Sequence, residues 1–132
     1  MTPYAIEKAV FDYLSINWTY TAIREINKEE IHAIPFIECY FKPGNISMLE
    51  INGFGERVGV FMINIFTKKG VGVQQGNSYG GKLEELFWHK EISGVTCENS
   101  FLLPSTKFIG IDDDLQACHH QTIIPFSVFM EY

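Results

Sequence analysis

Basic residues are scarce in this chain of 132: Lys and Arg number 10 against 16 Asp and Glu, a formal net charge of -6. A surface that grips nucleic-acid phosphates carries a basic patch or stripe, and none stands out here. The balance does not stop DNA from passing nearby unheld. Cysteine is also sparse. Cys39, Cys97 and Cys118 are odd in number and have no paired spacing, so three reduced thiols in a cytosol is the simplest reading. No run of about 18 apolar residues occurs, which argues against a membrane-spanning helix. Met1 to Tyr13 lacks a basic segment followed by an apolar one, so no signal peptide is expected. There is no internal repeat, linker or low-complexity tract, and residues 1–132 are expected to form one domain.

What is present is apolar and patterned. Hydrophobic residues make up 46% of the chain, enough for a real core. Thr2 and Pro3 open a helix as N-cap and first helical residue. Ile6, Val10, Tyr13 and Leu14 continue it at helical spacing to about Ile16. Trp18 to Ile23 is β-prone and short, and Arg24 to His32 is a polar connection. Pro35 to Phe41 is a strand. Pro43-Gly44 fits a type II turn, Ile46 to Ile51 returns, and Asn52-Gly53 is a strong hairpin signal. The long strand Arg57 to Thr67 follows, which predicts three consecutive antiparallel strands.

Phe61, Met62, Ile63, Ile65 and Phe66 leave both faces of that long strand apolar, so it should lie mid-sheet with something covering each side. Gly70 to Gly76 is a loop or the start of a helix, and Leu83, Leu86 and Phe87 mark a helix running to about His89. Val95 to Glu98 and Lys107 to Ile111 are further strands. In the last strand, His120 to Tyr132, the residues Ile124, Phe126, Val128, Met130 and Tyr132 make an apolar face, with Gln121, Ser127 and Glu131 opposite. Pro125 has no N–H for the ladder and marks an edge or a bulge. The fold class expected is α+β: a mainly antiparallel sheet with an N-terminal helix and one helix after the long central strand.

Candidate chemistry is thin. Gly70-Val71-Gly72-Val73-Gln74-Gln75-Gly76 sits between strand and helix like a dinucleotide loop, but its third glycine comes one residue late. The strands before it look antiparallel, where that fold needs parallel units. A flexible connection is the plainer reading. Cys118-His119-His120 resembles a metal cluster, with His89 and Cys97 as remote partners. Alternation along a strand lets Cys118 and His120 converge and sends His119 away. Structural zinc wants four ligands from paired spacings, which are missing. A cysteine nucleophile needs a histidine oriented by a third group, and nothing local supplies one. Cys39 and Cys97 read as small buried hydrophobes. Asp112-Asp113-Asp114 lacks the alternation and glycine of a calcium loop and reads as a solvated acidic turn. Lys68-Lys69 reads as a solvated strand end. Trp18 and Trp88 read as core anchors. No cofactor and no metal are expected.

As an order of elements, the chain resembles the tail terminator proteins of long-tailed, lambda-type bacteriophages. The resemblance rests on the helix Pro3 to Ile16, a short strand, and a strand led by Ile34-Pro35. A long strand with Arg57-x-Gly59-x-Phe61 then ends in Gly70-x-Gly72. A single helix, the acidic stretch Asp112 to Asp114 and a final strand ending Met130-Glu131-Tyr132 complete it. The pattern covers nearly the whole chain and contains no catalytic signature.

The resemblance implies a protein that is not an enzyme. It implies a ring, most often of six copies, that caps the head-proximal end of the tail tube, stops its polymerisation and forms the head-tail joining surface. The implied partners are further copies of the chain, the major tail tube protein and a head-completion or connector protein. DNA passes through the ring without specific binding, and no membrane is involved. The location implied is the host cytoplasm during assembly and then the virion. Gly70 to Asn77 and Pro104 to Asp114 are the candidate subunit or tube contacts, in particular Lys68, Lys69, Gly70, Gly72, Gln74, Gln75, Asp112, Asp113 and Asp114. The alternatives are another small neck or tail-completion protein, a small-ligand-binding or enzymatic α+β domain, and an adaptor that binds a host protein through a sheet edge.

Overall fold

The computed structural model describes residues 2–25, 33–48, 54–98 and 102–131. Helix α1 spans Pro3–Asn17, and Thr2 caps it by accepting a hydrogen bond from the Ala5 N–H. Ile6, Val10 and Leu14 form its buried stripe, with Tyr13 half-buried beside them. Trp18 is a core anchor, as its size suggests. The strands are β1 (Ala22–Glu25), β2 (Phe36–Met48), β3 (Phe54–Lys68), β4 (Glu91–Ile92), β5 (Val95–Thr96), β6 (Ser105–Asp112) and β7 (Ala117–Glu131). Helix α2, Gly72–Phe87, follows β3.

Six strands run in the order β1-β2-β3-β7-β5-β4, and β6 pairs with the same edge of β7 that meets β5. All pairings are antiparallel except β1 with β2, which is parallel. The fold is therefore α+β with a mainly antiparallel, curled sheet, an N-terminal helix and one helix after the central strand. Strand β3 is interior, flanked by β2 and β7 along its length. Its odd-numbered residues Phe61, Ile63 and Ile65 face the helices with Ile37, Ile124, Phe126 and Val128, and make the main core. On the other face Phe66 packs with Phe36 and Ala117 in a smaller cluster.

Several local expectations need correcting. The polar connection loses its first two residues, because Arg24 and Glu25 belong to β1; 26–32 lie outside the described residues. Pro43-Gly44 is not a turn. Both residues lie inside β2, which pairs with β3 from Phe36↔Phe66 through Pro43↔Gly59 and resumes at Ile46↔Arg57. One extra residue on β2 is absorbed as a bulge, so two long strands replace the three expected. A Cβ on Gly44 would strike the Val58 carbonyl, so the glycine serves close strand approach instead of chain reversal. The Asn52-Gly53 signal lies outside the described residues. Trp88 is no core anchor: the helix ends at Phe87 and leaves Trp88 46% exposed.

Pro125 pairs in register with Val60 on β3. On its other side it falls between Ile123, where β6 pairing ends, and Ser127, where β5 pairing begins.

Phe61 is 1% exposed at the centre of the core, against Phe41 and Phe126. Phe61→Ala is expected to cost about 3–5 kcal/mol in denaturant unfolding. A loss under about 1 kcal/mol would mean that β3 is not buried as described.

Candidate assembly surface

Helix α2 begins on glycine. Gly72, Gly76 and Gly80 recur every fourth residue, are all buried, and are followed on the same stripe by Leu83 and Phe87. The stripe lies on the sheet: a Cβ on Gly72 would strike Thr67 of β3, one on Gly76 the ring of His120, and one on Gly80 the side chain of Thr106. Thr67 Oγ1 also donates to the Gly72 carbonyl at 2.7 Å. Thr106 and Thr122 share a hydroxyl hydrogen bond at 2.7 Å beneath the helix. The flexible-connection reading therefore fails from Gly72 onward. Only Gly70, with φ +103, acts as a turn glycine there. Gly72 faces inward and is withdrawn as a contact residue, whereas Gln74 is exposed and Gln75 donates to Tyr79 Oη at 3.1 Å.

The register on β7 brings the remaining candidates to one end of the sheet. Lys68 and Asp112 both pair with Ala117, from opposite sides of β7. Two strand spacings put them roughly 10 Å apart. Lys68, Lys69, Gly70, Asp113 and Asp114 are exposed. Asp112 is half-buried, and its Oδ1 accepts the Leu115 N–H at 2.9 Å, which shapes the turn into β7. The first turn of α2 and strand β6 also expose residues that the sequence reading passed over as contacts: Val71, Val73, Phe108, Ile109 and Ile111, each between 43% and 70% exposed. The available signal was the apolar run Phe108 to Ile111, which lacks the polar alternation of a solvated strand.

The cysteine and histidine candidates are placed apart. Cys118 and His120 share the α2 side of β7, and His119 points to the opposite face. There His119 stacks on Phe66 and donates from Nε2 to Asn64 Oδ1 at 2.9 Å. Gln121 donates to the same oxygen at 3.1 Å, Asn64 donates to Glu38 at 3.3 Å, and Arg24 pairs with Glu38. This row of polar side chains crosses four strands. It was missed because Glu38 and Asn64 are single polar residues within apolar strands. His89 pairs with Glu98 at 2.9 Å. Burial pushes the thiols of Cys39 and Cys97 up to about 12, far from a reactive thiolate. Among the described residues no group of three or more His, Cys, Asp and Glu side chains is placed to hold a metal.

An open groove of about 350 Å³ between the helices is lined by Tyr13, Trp18, Tyr20, Lys82, Glu85 and neighbours. Several of its polar groups are already engaged: Tyr13 with the Leu86 carbonyl, Trp18 with Thr21, and Lys82 over the Tyr20 ring. No helix among the described residues is long and apolar enough to cross a membrane.

No protein-family model matches the chain, and no curated protein matches it. A solved structure whose name says nothing of function is similar in fold, with a TM-score of 0.64 over 98% of this chain and 93% of that one. Its sequence identity is 16%, so the likeness shows the fold alone.

His120 is fully buried, and neither ring nitrogen has a hydrogen-bond partner in good geometry among the described residues. Burial pushes its pKa below the ordinary value of 6.5; neighbouring His119 adds to this and the Val73 backbone opposes it. Below pH about 6.5 the unfolded chain takes up a proton that folded His120 resists, so stability is complete above that pH and falls as pH drops through it. His119 shifts the same way through burial, against the pull of Asp112 and Glu38. Urea unfolding from pH 7.5 to 5.5 should show stability falling by at most about 1.4 kcal/mol per pH unit from His120. His120→Leu should flatten the slope, and an unchanged slope in that variant would contradict the assignment.

Proposed function

We propose that this chain is a structural assembly protein of a long-tailed phage that caps the head-proximal end of the tail tube. The observation that carries the reading is the open end of the sheet. Strand β6 has no strand on its outer edge among the described residues, and it exposes Phe108, Ile109 and Ile111. Soluble proteins blunt or cover such edges unless another chain covers them. The element order of the fold supports the same reading. So does the placement of the three cysteines, buried or half-buried, which favours work by contact over cysteine catalysis.

In this reading the chain forms a closed ring, with the homohexamer as the expected size. One face meets the major tail tube protein and the other meets the head-completion or connector protein. The net charge of -6 suits a bore that lets DNA through without holding it. The ring assembles in the host cytoplasm and ends in the virion.

The test is direct. Tail tubes incubated with saturating protein and imaged by electron microscopy should carry a cap of fixed size at one end and stop growing. Tubes that stay uncapped and keep growing would contradict the reading.

A further inference from the structure

We propose that the first two turns of α2, Gly72 to Ser78, are a latch that neutral His120 holds shut and that opens when His120 takes up a proton. The inference stands apart from the capping reading and concerns the seating of the helix itself.

The two halves of α2 are built differently. Glycine fills four of the ten positions 72–81, and glycine is a poor helix former. Val71 at the N-cap makes no side-chain hydrogen bond, and the first turn has no acidic residue to meet the helix dipole. Among the described residues a single side-chain hydrogen bond ties this half to the sheet, from Thr67 Oγ1 to the Gly72 carbonyl. The second half holds itself. Lys82 to Phe87 contains no glycine, and Leu83 and Phe87 are fully buried in the main core, with Tyr79 packed against it. The first two turns therefore depend on the surface beneath them, and fraying as far as Tyr79 leaves the rest of the core in place.

His120 lies at the centre of that surface. It is fully buried under Gly76, and neither ring nitrogen has a hydrogen-bond partner in good geometry among the described residues. Phe108 of β6 lies against the ring at 5.1 Å. Ile65 and Thr67 of β3, Thr106 of β6, and Cys118 and Thr122 of β7 share its side of the sheet. The Cys118 thiol is the titratable group among them, and none is a carboxylate or a cation. The Val73 backbone favours the charged ring, and His119 on the far face disfavours it. An imidazolium has two N–H donors to satisfy, and a buried charge without partners is costly. Lifting Val73 and Gly76 lets water reach both nitrogens. The open form therefore binds the proton more tightly than the closed form, and acid shifts the population toward it. Val71 and Val73 ride on the same turn, so the apolar surface they present lasts only while the latch is shut.

The test is amide hydrogen exchange by NMR at pH 7.5 and 5.5, with each rate divided into the intrinsic rate at that pH. At both pH values the amides of Gly76, Asn77 and Ser78 should be less protected than those of Phe87 and Ile63. Their protection should fall by up to about tenfold at the lower pH, the ratio that an ordinary histidine exposed only in the open form imposes. His120→Leu should abolish that fall, and His120→Gln serves the same purpose if the leucine variant does not fold. His119→Asn, on the far face, should retain it.

Equal protection at Gly76 to Ser78 and at Ile63 would mean that the helix opens only with the whole molecule, and would overturn the proposal. So would low protection that does not change with pH, or a fall that persists without His120. The wild-type comparison decides the first two outcomes without any variant.

Discussion

The close approach of helix α2 to the sheet is the constraint on which the rest depends. Glycine at positions 72, 76 and 80 brings the helix backbone down to Thr67, His120 and Thr106, where any side chain would collide. That seating closes one side of β3, β7 and β6 at once. It holds His120 fully buried under Gly76, with no hydrogen-bond partner in good geometry for its ring nitrogens among the described residues. A buried polar group without a partner is costly. The stability offsetting it must come from the packing around it, including Leu83 and Phe87 further along the stripe. With its glycine face inward, the first turn of α2 exposes Val71 and Val73 beside Phe108. That exposed apolar surface is thus a direct consequence of how the helix sits.

The opposite face of the sheet is organised differently. Strands β1, β2, β3 and β7 are tied by the row Arg24, Glu38, Asn64, His119 and Gln121, with Phe36, Phe66 and Ala117 packed alongside. Arg24 also lies over the Phe36 ring at 4.7 Å. Strand β6, covered by α2 at Thr106, still exposes Phe108, Ile109 and Ile111.

Much of this fold was legible in the sequence where one short-range rule dominates. Thr2-Pro3 and the spacing of Ile6, Val10 and Leu14 define α1 because capping and 3.6-residue periodicity act within a few residues. The apolar faces of β3 and β7 follow from period-2 alternation. What failed was long-range. Pro43-Gly44 looks like a turn, but pairing with Gly59 and Arg57 overrides the local preference. Gly72 and Gly76 look like a loop, and their four-residue spacing acquires meaning only with a sheet beneath them. The parallel pairing of β1 with β2 leaves no local mark. Among the candidate contacts, Lys68-Lys69 and Asp112 to Asp114 were visible as charged ends, but the neighbourhood of Lys68 and Asp112 across Ala117 is a matter of register.

The measurement that tests the central claim most directly compares glycines five residues apart in one helix. Gly76 has the His120 ring where its Cβ would be, whereas Gly81 has nothing within 4 Å. Denaturant unfolding of Gly76→Ala should show a loss of about 1–3 kcal/mol or more from overpacking. Gly81→Ala should show a gain of up to about 1 kcal/mol from helix propensity. Opposite signs support the seated helix. A gain at both positions would mean that α2 does not rest on the sheet through its glycines, and the account built on that contact would be wrong.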